Sequence, residues 1–180
     1  MIEVRWRGVE APSMERCRIA EGSEGVHVVG VIDAATWRCQ YELHAAPDWR
    51  FRTLSATAGG RTVVVARLDQ GWIVDGEPRP DLHEALEVDI SASPLSNTLP
   101  IRRLGLAVGE SADITTAYVA VPELTVATDP QRYRRLGERE YLYESRDSDF
   151  RRAITVDEHG LVIDYPGLFE RDAGGPPELR

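Results

Sequence analysis

The sequence predicts a single, mainly β domain built on one curled antiparallel sheet. Apolar and polar residues alternate in many short segments, turn residues separate these segments closely, and helical periodicity is scarce. The clearest alternation runs from Trp37 to Ala45, where every odd-numbered residue is apolar and every even-numbered residue is polar. This pattern gives a strand one buried and one solvated face, which is typical of antiparallel sheets.

Turn signals divide the rest of the chain into further strands. Asp69-Gln70-Gly71 precedes Trp72, and Asp75-Gly76 follows it as a hairpin turn. The predicted strands are 26–33, 37–45, 49–52, 61–68, 72–74, 87–90, 114–121, 133–135, 139–145, 150–157 and 161–164. A sheet with so many strands closes into a barrel or curls into a roll, because wide flat sheets are disfavoured.

One short helix is predicted from Asn97 to Leu104. Asn97 is a good N-cap, and Gly105 can supply the C-cap. Arg102 and Arg103 fall in the last turn, where cations complement the helix dipole. A second short turn is expected over 81–86, where Asp81 and Glu84 have the spacing of a capping box.

Composition limits the domain organisation and the partners. The chain has 180 residues, which fits one domain, and it shows no repeat or linker. We expect residues 2–171 to form that domain and residues 172–180 to be a disordered tail. The formal net charge of -9 repels phosphate backbones, so nucleic acid is not an expected partner.

The termini and cysteines point to a reducing compartment. The N-terminus has no apolar stretch typical of a signal peptide, and no apolar run reaches the roughly 20 residues of a transmembrane helix. Cys17 and Cys39 are expected to be buried free thiols, although a pairing in the fold stays open. We therefore expect a cytoplasmic protein; the sequence leaves its oligomeric state open.

Motifs for catalysis, cofactors and metals are missing from the sequence. There is no P-loop, no dinucleotide fingerprint and no nucleophile elbow. The four histidines are scattered along the chain, so no metal site is predicted. The sequence thus favours a protein without a cofactor that is not an enzyme.

Several residues are candidates for ligand contacts, each with a structural alternative. Asp89 lies between two apolar strand residues, where a charge is costly unless it is paired. Arg102 and Arg103 point about 100° apart on a helix, so at most one faces the interior fully. The aromatic candidates are core residues or pocket walls: Trp72, Trp37, Tyr41, Tyr141 and Tyr143.

The segment from Asp89 to Leu104 resembles the signature of a bacterial family named putative glycolipid-binding proteins. Its distinctive part is Asn97-Thr98-Leu99-Pro100-Ile101-Arg102-Arg103-Leu104. The likeness extends over about 2–171 and includes Trp6-Arg7-Gly8, Gly71-Trp72, Asp75-Gly76, Gln131-x-Tyr133 and Asp164-Tyr165-Pro166. The chain departs from the family pattern at Glu84-Ala85 and Leu95.

The resemblance implies a spiral β-roll wrapped around a short helical segment, similar in shape to bacterial lipoprotein carriers. It also implies non-enzymatic binding of a lipid or glycolipid-like amphiphile. The tail would lie on the concave face against Trp37, Tyr41 and Tyr141; Asn97, Arg102 or Arg103 would hold the head group, with Asp89 orienting an arginine. Two alternatives stay open: a structural or partner-binding module with a self-filled core, and an enzyme that uses Asp89 as a general base.

Overall fold

The computed structural model describes residues 1–173, and these form one sheet, one α-helix and one 3-10 turn. The fifteen strands lie side by side in a curled, unclosed sheet, which confirms the predicted fold class. The strands are β1 Ile2–Gly8, β2 Ser13–Gly22, β3 Gly25–Ala34, β4 Arg38–Ala45, β5 Phe51–Ala58, β6 Arg61–Leu68, β7 Gly71–Val74, β8 Glu77–Pro78, β9 Ala85–Ile90, β10 Ser111–Ala120, β11 Thr125–Arg135, β12 Glu140–Ser145, β13 Arg151–Val156, β14 Val162–Tyr165 and β15 Phe169–Arg171.

The N-terminal arm, strands β1 to β8, is an up-and-down antiparallel meander. The alternation predicted for β4 is present: its buried and exposed residues alternate along the whole strand. Tight turns join the strands, and both residues of the Gly59-Gly60 turn have positive φ angles of 56° and 78°. That backbone region suits glycine, which has no Cβ to clash.

The C-terminal arm, strands β9 to β15, begins with a parallel pair. Strands β9 and β10 run parallel, and the helix α1 (Leu95–Leu104) lies between them in sequence as the crossover that such a pair needs. The remaining neighbours are antiparallel. The two arms meet where β15 pairs with β1, and the Trp6 indole there donates to the Val162 carbonyl at 2.8 Å.

The edge strands β8 and β9 follow each other in sequence, and the curl of the sheet brings these edge regions together. The Trp72 indole next to β8 donates to the Ala85 carbonyl of β9 at 3.0 Å. Arg79, just after β8, donates to the Val126 carbonyl of β11 at 2.9 Å. Side chains therefore bridge the open seam of the roll.

The helix starts two residues before its predicted position. Pro94, not Asn97, occupies the N-cap position, and Asn97 is buried inside the first turn. Pro94 has φ -72°, so its ring already holds the backbone in a helical conformation. The predicted C-cap is confirmed: Gly105 has φ 55°, and Arg102 and Arg103 lie in the last turn.

The second predicted turn is shorter than expected. A 3-10 turn covers Pro80–Leu82, and its N-cap residue, Arg79, makes no side-chain capping hydrogen bond among residues 1–173. Asp81 pairs with Arg79 instead of capping, and Ala85 already belongs to a strand. The capping-box prediction for Asp81 and Glu84 is therefore wrong, because an ion pair takes the carboxylate that the cap would need.

The interior contains two apolar clusters of different character. The larger one covers the N-terminal arm, β9, part of β10 and the start of α1, and it is mostly aliphatic. The smaller one belongs to the C-terminal arm and includes four tyrosines: Tyr133, Tyr141, Tyr143 and Tyr165. Cys17 and Cys39 are buried free thiols in the larger cluster, as predicted.

The tail prediction falls mostly outside the described residues. The Asp172 backbone amide donates to the Arg5 carbonyl at 2.9 Å, next to the β1–β15 junction. Residues 174–180 of the predicted tail lie outside the described residues.

Candidate functional site

Strands β9 to β12 present a row of polar and aromatic side chains on one face. The register places Tyr118 beside Asp89, Thr116 beside Asp129, and Tyr133 beside Tyr143. Helix α1 packs against this same face, since Asn97 contacts Tyr133 and Arg103 contacts Glu87. On a buried face of this kind, a polar group without a hydrogen-bond partner carries a desolvation cost.

A cleft of about 330 Å³ opens from this face to solvent. Gln131 connects the cleft to Asp89, because its amide contacts both Asp89 and the cleft-lining Asp129. We call the cleft, together with Asp89 and Gln131, the tyrosine–carboxylate notch. It comprises Asp89, Gln131 and the lining residues Tyr118, Thr128, Asp129, Tyr143, Ser145, Asp147, Ser148 and Phe150.

One amide nitrogen holds the two carboxylates together. Gln131 Nε2 donates to Asp89 Oδ2 at 2.6 Å and to Asp129 Oδ2 at 2.7 Å, and it lies 3.3 Å from the Thr116 hydroxyl. Within residues 1–173, neither Asp89 nor Asp129 forms an ion pair with an arginine. The partner of Asp89 is thus Gln131 and not the predicted arginine.

Desolvation dominates the electrostatics of the notch. Burial of the carboxyl group raises the pKa of Asp89 to about 6, against hydrogen bonds from Gln131 and Ser96 that lower it. Burial also raises the pKa of Asp129. Burial raises the pKa of the Tyr118 and Tyr143 hydroxyls, which therefore stay neutral and able to donate hydrogen bonds.

Asn97 fixes the helix to the tyrosine wall of the notch. Its side-chain nitrogen donates to the Tyr133 hydroxyl at 2.8 Å, and both residues are buried. The Tyr133 ring then meets the Tyr143 ring edge-on, with centroids 5.6 Å apart. Asn97 therefore acts on the notch through Tyr133.

An aromatic strip leads away from the notch. Tyr143 contacts Phe150 and Tyr165, with ring centroids 5.9 and 6.0 Å apart, and Tyr165 contacts Phe169 at 6.2 Å. Phe150 and Phe169 are half-buried, so part of each ring is accessible. The C-terminal arm thus places an aromatic surface next to a group of hydrogen-bonding side chains.

The two predicted arginines are held by separate carboxylates. Arg103 donates to the buried Glu87, while the second terminal nitrogen of Arg103 and the second oxygen of Glu87 have no partner among residues 1–173. Arg102 donates to Glu21 at 3.1 Å and to the His159 carbonyl at 3.0 Å. Its guanidinium lies 4.8 Å from the centre of the Trp49 ring.

A second cleft, of about 360 Å³, lies at the C-terminal end of α1. Arg102 and Tyr141 line it together with Arg135, whose guanidinium sits 5.6 Å from the Tyr141 ring centre. Arg135 donates to the carbonyls of Leu106, Gly137 and Glu138. The second cleft therefore brings together two predicted site residues, Arg102 and Tyr141, and Asp89 does not line it.

The other predicted aromatic residues lie in the N-terminal arm. Trp72 is buried and stacks on Phe51 with ring centroids 5.3 Å apart, and Trp37 packs half-buried against the same core. The buried Tyr41 hydroxyl donates to Glu15 at 2.5 Å. A Cβ on Gly30 would come within 2.1 Å of the Tyr41 ring, so glycine is required there.

The nine predicted site residues thus fall in four places. Asp89, Asn97 and Tyr143 belong to the notch or its wall, and Arg102 and Tyr141 to the second cleft. Arg103 is paired with Glu87, and the N-terminal arm contains Trp37, Tyr41 and Trp72.

Sequence reasoning missed Gln131, Asp129 and Tyr118 as site residues. The predicted strand 133–135 covered only the end of β11, which runs over Thr125–Arg135, so the face of Asp129 was not apparent. The motif Gln131-x-Tyr133 was a usable signal, because residues two apart on a strand share a face.

Comparison with known proteins connects this fold to a family. The family model described as "Putative glycolipid-binding" matches residues 3–171. A crystal structure of a DUF1089 family protein from Pseudomonas aeruginosa is similar, with 34% identity and a TM-score of 0.74 over 87% of this chain and 91% of that one. A search among curated proteins found no match.

Across residues 1–173, no helix has the length and apolar character needed to cross a membrane. The family model covers nearly the whole described chain, and the solved relative shares both sequence and fold with it. This chain belongs to the family described as "Putative glycolipid-binding".

Proposed function

We propose that the protein binds an amphiphile without catalysis, with a hydroxylated, sugar-like head group in the tyrosine–carboxylate notch. The observation that carries this proposal is the Gln131 amide that joins Asp89 and Asp129 beside an open, tyrosine-lined cleft. The description of the family supports the ligand class.

The chemistry of the notch suits a group rich in hydroxyls. Carboxylate oxygens accept hydrogen bonds from hydroxyl groups, and tyrosine and serine hydroxyls both donate and accept them. Ligand sites typically combine aromatic walls with a few polar groups that fix orientation. Tyr118 and Tyr143 provide the wall, and Asp129 and Ser145 provide the polar groups.

The tail of the ligand is assigned to the aromatic strip and not to the N-terminal arm. Phe150 lines the notch, and with Tyr165 and Phe169 it continues the apolar surface from there. In the N-terminal arm Tyr41 and Trp72 are already buried by the chain's own side chains, which leaves only the half-buried Trp37 of the predicted aromatic residues there. An acyl or alkyl chain would gain apolar contact only where rings are still partly accessible.

Calorimetric titration of octyl glucoside, with free glucose and octanol as separate probes, tests both halves of the site. Octyl glucoside should bind more tightly than either fragment. Asp129→Asn should weaken its binding by about tenfold, because a hydrogen bond to a charged group contributes about 1.5 kcal/mol or more. Asp69→Asn, in an exposed turn of the N-terminal arm, is the control and should leave binding unchanged.

Native mass spectrometry of protein from a bacterial host gives a test that is free of the choice of probe. A co-purifying lipid that is lost in Asp129→Asn and retained in Asp69→Asn would support the proposal. A clean protein mass with no uptake of octyl glucoside would refute it and favour the partner-binding module.

A second candidate function is acid–base catalysis on the same head group. It is favoured because the Gln131 amide brings the carboxylates of Asp89 and Asp129 close to each other. A general base is most effective when its pKa is near the working pH, and burial raises the pKa of Asp89 to about 6. Incubation with a panel of nitrophenyl glycosides separates the two functions. Hydrolysis that Asp89→Asn abolishes would establish catalysis, whereas binding without turnover supports the first proposal.

A further inference from the structure

Two of the four histidines meet on the outer face of the N-terminal arm. The register places His27 of β3 directly opposite His44 of β4, and Glu42 lies two residues before His44 on the same face. Sequence spacing did not indicate this group, because His27 and His44 are brought together only by the strand pairing. All three side chains are exposed by between 44% and 54%.

The three side chains converge on a small volume. His27 Nε2 lies 2.7 Å from Glu42 Oε1, and His44 Nε2 lies 3.3 Å from the same oxygen. The imidazole rings are stacked, with centroids 4.6 Å apart and planes within 9°. One ligand atom from each residue lies within 4.8 Å of the others.

We propose that His27, Glu42 and His44 form a surface site for a first-row divalent transition-metal ion, of which Zn²⁺ is the probe of choice. Neutral imidazoles and a carboxylate oxygen are the ligands that Zn²⁺ takes with nitrogen and oxygen donors. Three protein ligands leave one tetrahedral position for water or a further ligand. The site is separate from the notch and does not depend on the proposed function.

The neighbouring positions leave the site open. Ala20 lies opposite His27 on β2, Thr53 lies opposite His44 on β5, and Val29 and Ser55 flank Glu42. These four side chains are uncharged and short, so an ion can approach from solvent. The sheet itself fixes the spacing of the ligands, which lowers the ordering cost of binding.

Titration of tag-free, chelator-treated protein with ZnCl₂ tests the proposal. One saturable site is expected, and His27→Ala and His44→Ala should each weaken it by more than tenfold, since loss of an outer-shell partner alone costs roughly 10–100-fold. His83→Ala is the matched control: His83 is also exposed and lies 4.0 Å from Glu84, but the described residues offer it no third ligand. The affinity of His83→Ala for Zn²⁺ should equal that of the unaltered protein.

A second readout shows where the ion binds and guards against misfolded variants. The imidazole proton resonances of His27 and His44 should shift on addition of ZnCl₂, and those of His83 and His159 should not. Zinc should also raise the melting temperature of the unaltered protein and not that of folded His44→Ala. Lack of saturable binding, or an affinity in folded His27→Ala and His44→Ala equal to that of the unaltered protein, would overturn the proposal.

Discussion

The two arms of the sheet use similar meanders but fill their inner faces differently. The N-terminal arm buries mostly aliphatic side chains with few polar groups, as along β3 and β6. The C-terminal arm buries four tyrosines on the face that also carries Asp89, Asp129 and Gln131. The fold thus places aliphatic packing in one arm and hydrogen-bonding chemistry in the other.

This division separates stability from binding. Buried aliphatic side chains contribute mainly by leaving water, whereas buried carboxylates carry a desolvation cost that only a partner or ligand offsets. We therefore expect core substitutions in the N-terminal arm and at the junction to reduce stability strongly. Substitutions in the notch should change binding more than stability.

The largest effect on the free energy of unfolding is expected at the junction between the arms. Trp6 is fully buried, and its indole reaches from β1 to the Val162 carbonyl of β14. Trp6→Ala should lower the free energy of unfolding by about 4 kcal/mol, since it leaves a large cavity and removes the indole hydrogen bond to the Val162 carbonyl, which then keeps only its bonds from Arg171. Urea denaturation followed by circular dichroism measures this loss.

The neighbouring residue provides the control for Trp6. Arg5 is exposed on the opposite face of β1, so Arg5→Ala should change the free energy of unfolding by less than about 0.5 kcal/mol. Equal losses for the two variants would show that the junction does not hold the arms together.

The next largest effect on stability is expected at Glu15, a buried carboxylate in the mostly aliphatic N-terminal arm. Glu15 is buried and accepts hydrogen bonds from Tyr41 and Ser93, and its second oxygen has no partner within the described part of the chain. Burial raises its pKa from 4.5 to about 7, against those two hydrogen bonds. The folded protein therefore holds this proton more tightly than the unfolded chain does.

The sign of the pH dependence follows from that difference. The contribution of Glu15 to stability is fully present below pH 4.5 and is lost as the pH rises through about 7, a change of about 3 kcal/mol. Glu15→Gln should remove this dependence and stabilise the protein above pH 7. Denaturant titrations at several pH values would contradict this if both proteins lost stability in parallel between pH 4.5 and 7.

Much of the fold could be predicted from the sequence because alternation is a local signal. Strand β6 was predicted with its observed ends, Arg61–Leu68. Strand β1 was not predicted, although its residues alternate between buried and exposed from Glu3 to Gly8. The start of α1 was predicted two residues too late because Asn97 is a residue type that favours the N-cap position. In the structure the side-chain amide of Asn97 instead donates a hydrogen bond to the Tyr133 hydroxyl.

The candidate site was less predictable because it depends on strand pairing. Asp89 stands out in the sequence as a charge among apolar neighbours, but Asp129 and Gln131 lie about forty positions further along the chain. Only the order β9–β10–β11 and its register bring them together. Single-sequence patterns contain no information on which strands become neighbours.

A smaller loss of stability is expected for substitutions at Tyr133, in the tyrosine wall of the notch. Tyr133→Phe removes the acceptor of the buried Asn97 amide and should cost about 1 to 2 kcal/mol. Asn97→Leu and the double variant complete a double-mutant cycle. The double variant should lose less stability than the two single variants together; strict additivity would mean that this hydrogen bond does not fix α1 to β11.

The smallest effect on stability is expected for Asp129→Asn, which makes it the sharpest test of the division between the arms. Asp129 is half-buried, and burial raises its pKa, so the folded protein gains little from its charge. An asparagine oxygen can still accept the hydrogen bond from Gln131. We expect a change within about 0.5 kcal/mol in the free energy of unfolding by urea, together with octyl glucoside binding that is weakened about tenfold. A residue that is dispensable for folding but needed for the ligand belongs to a binding face, whereas a large loss of stability would return Asp129 to the core and remove the contrast between the arms.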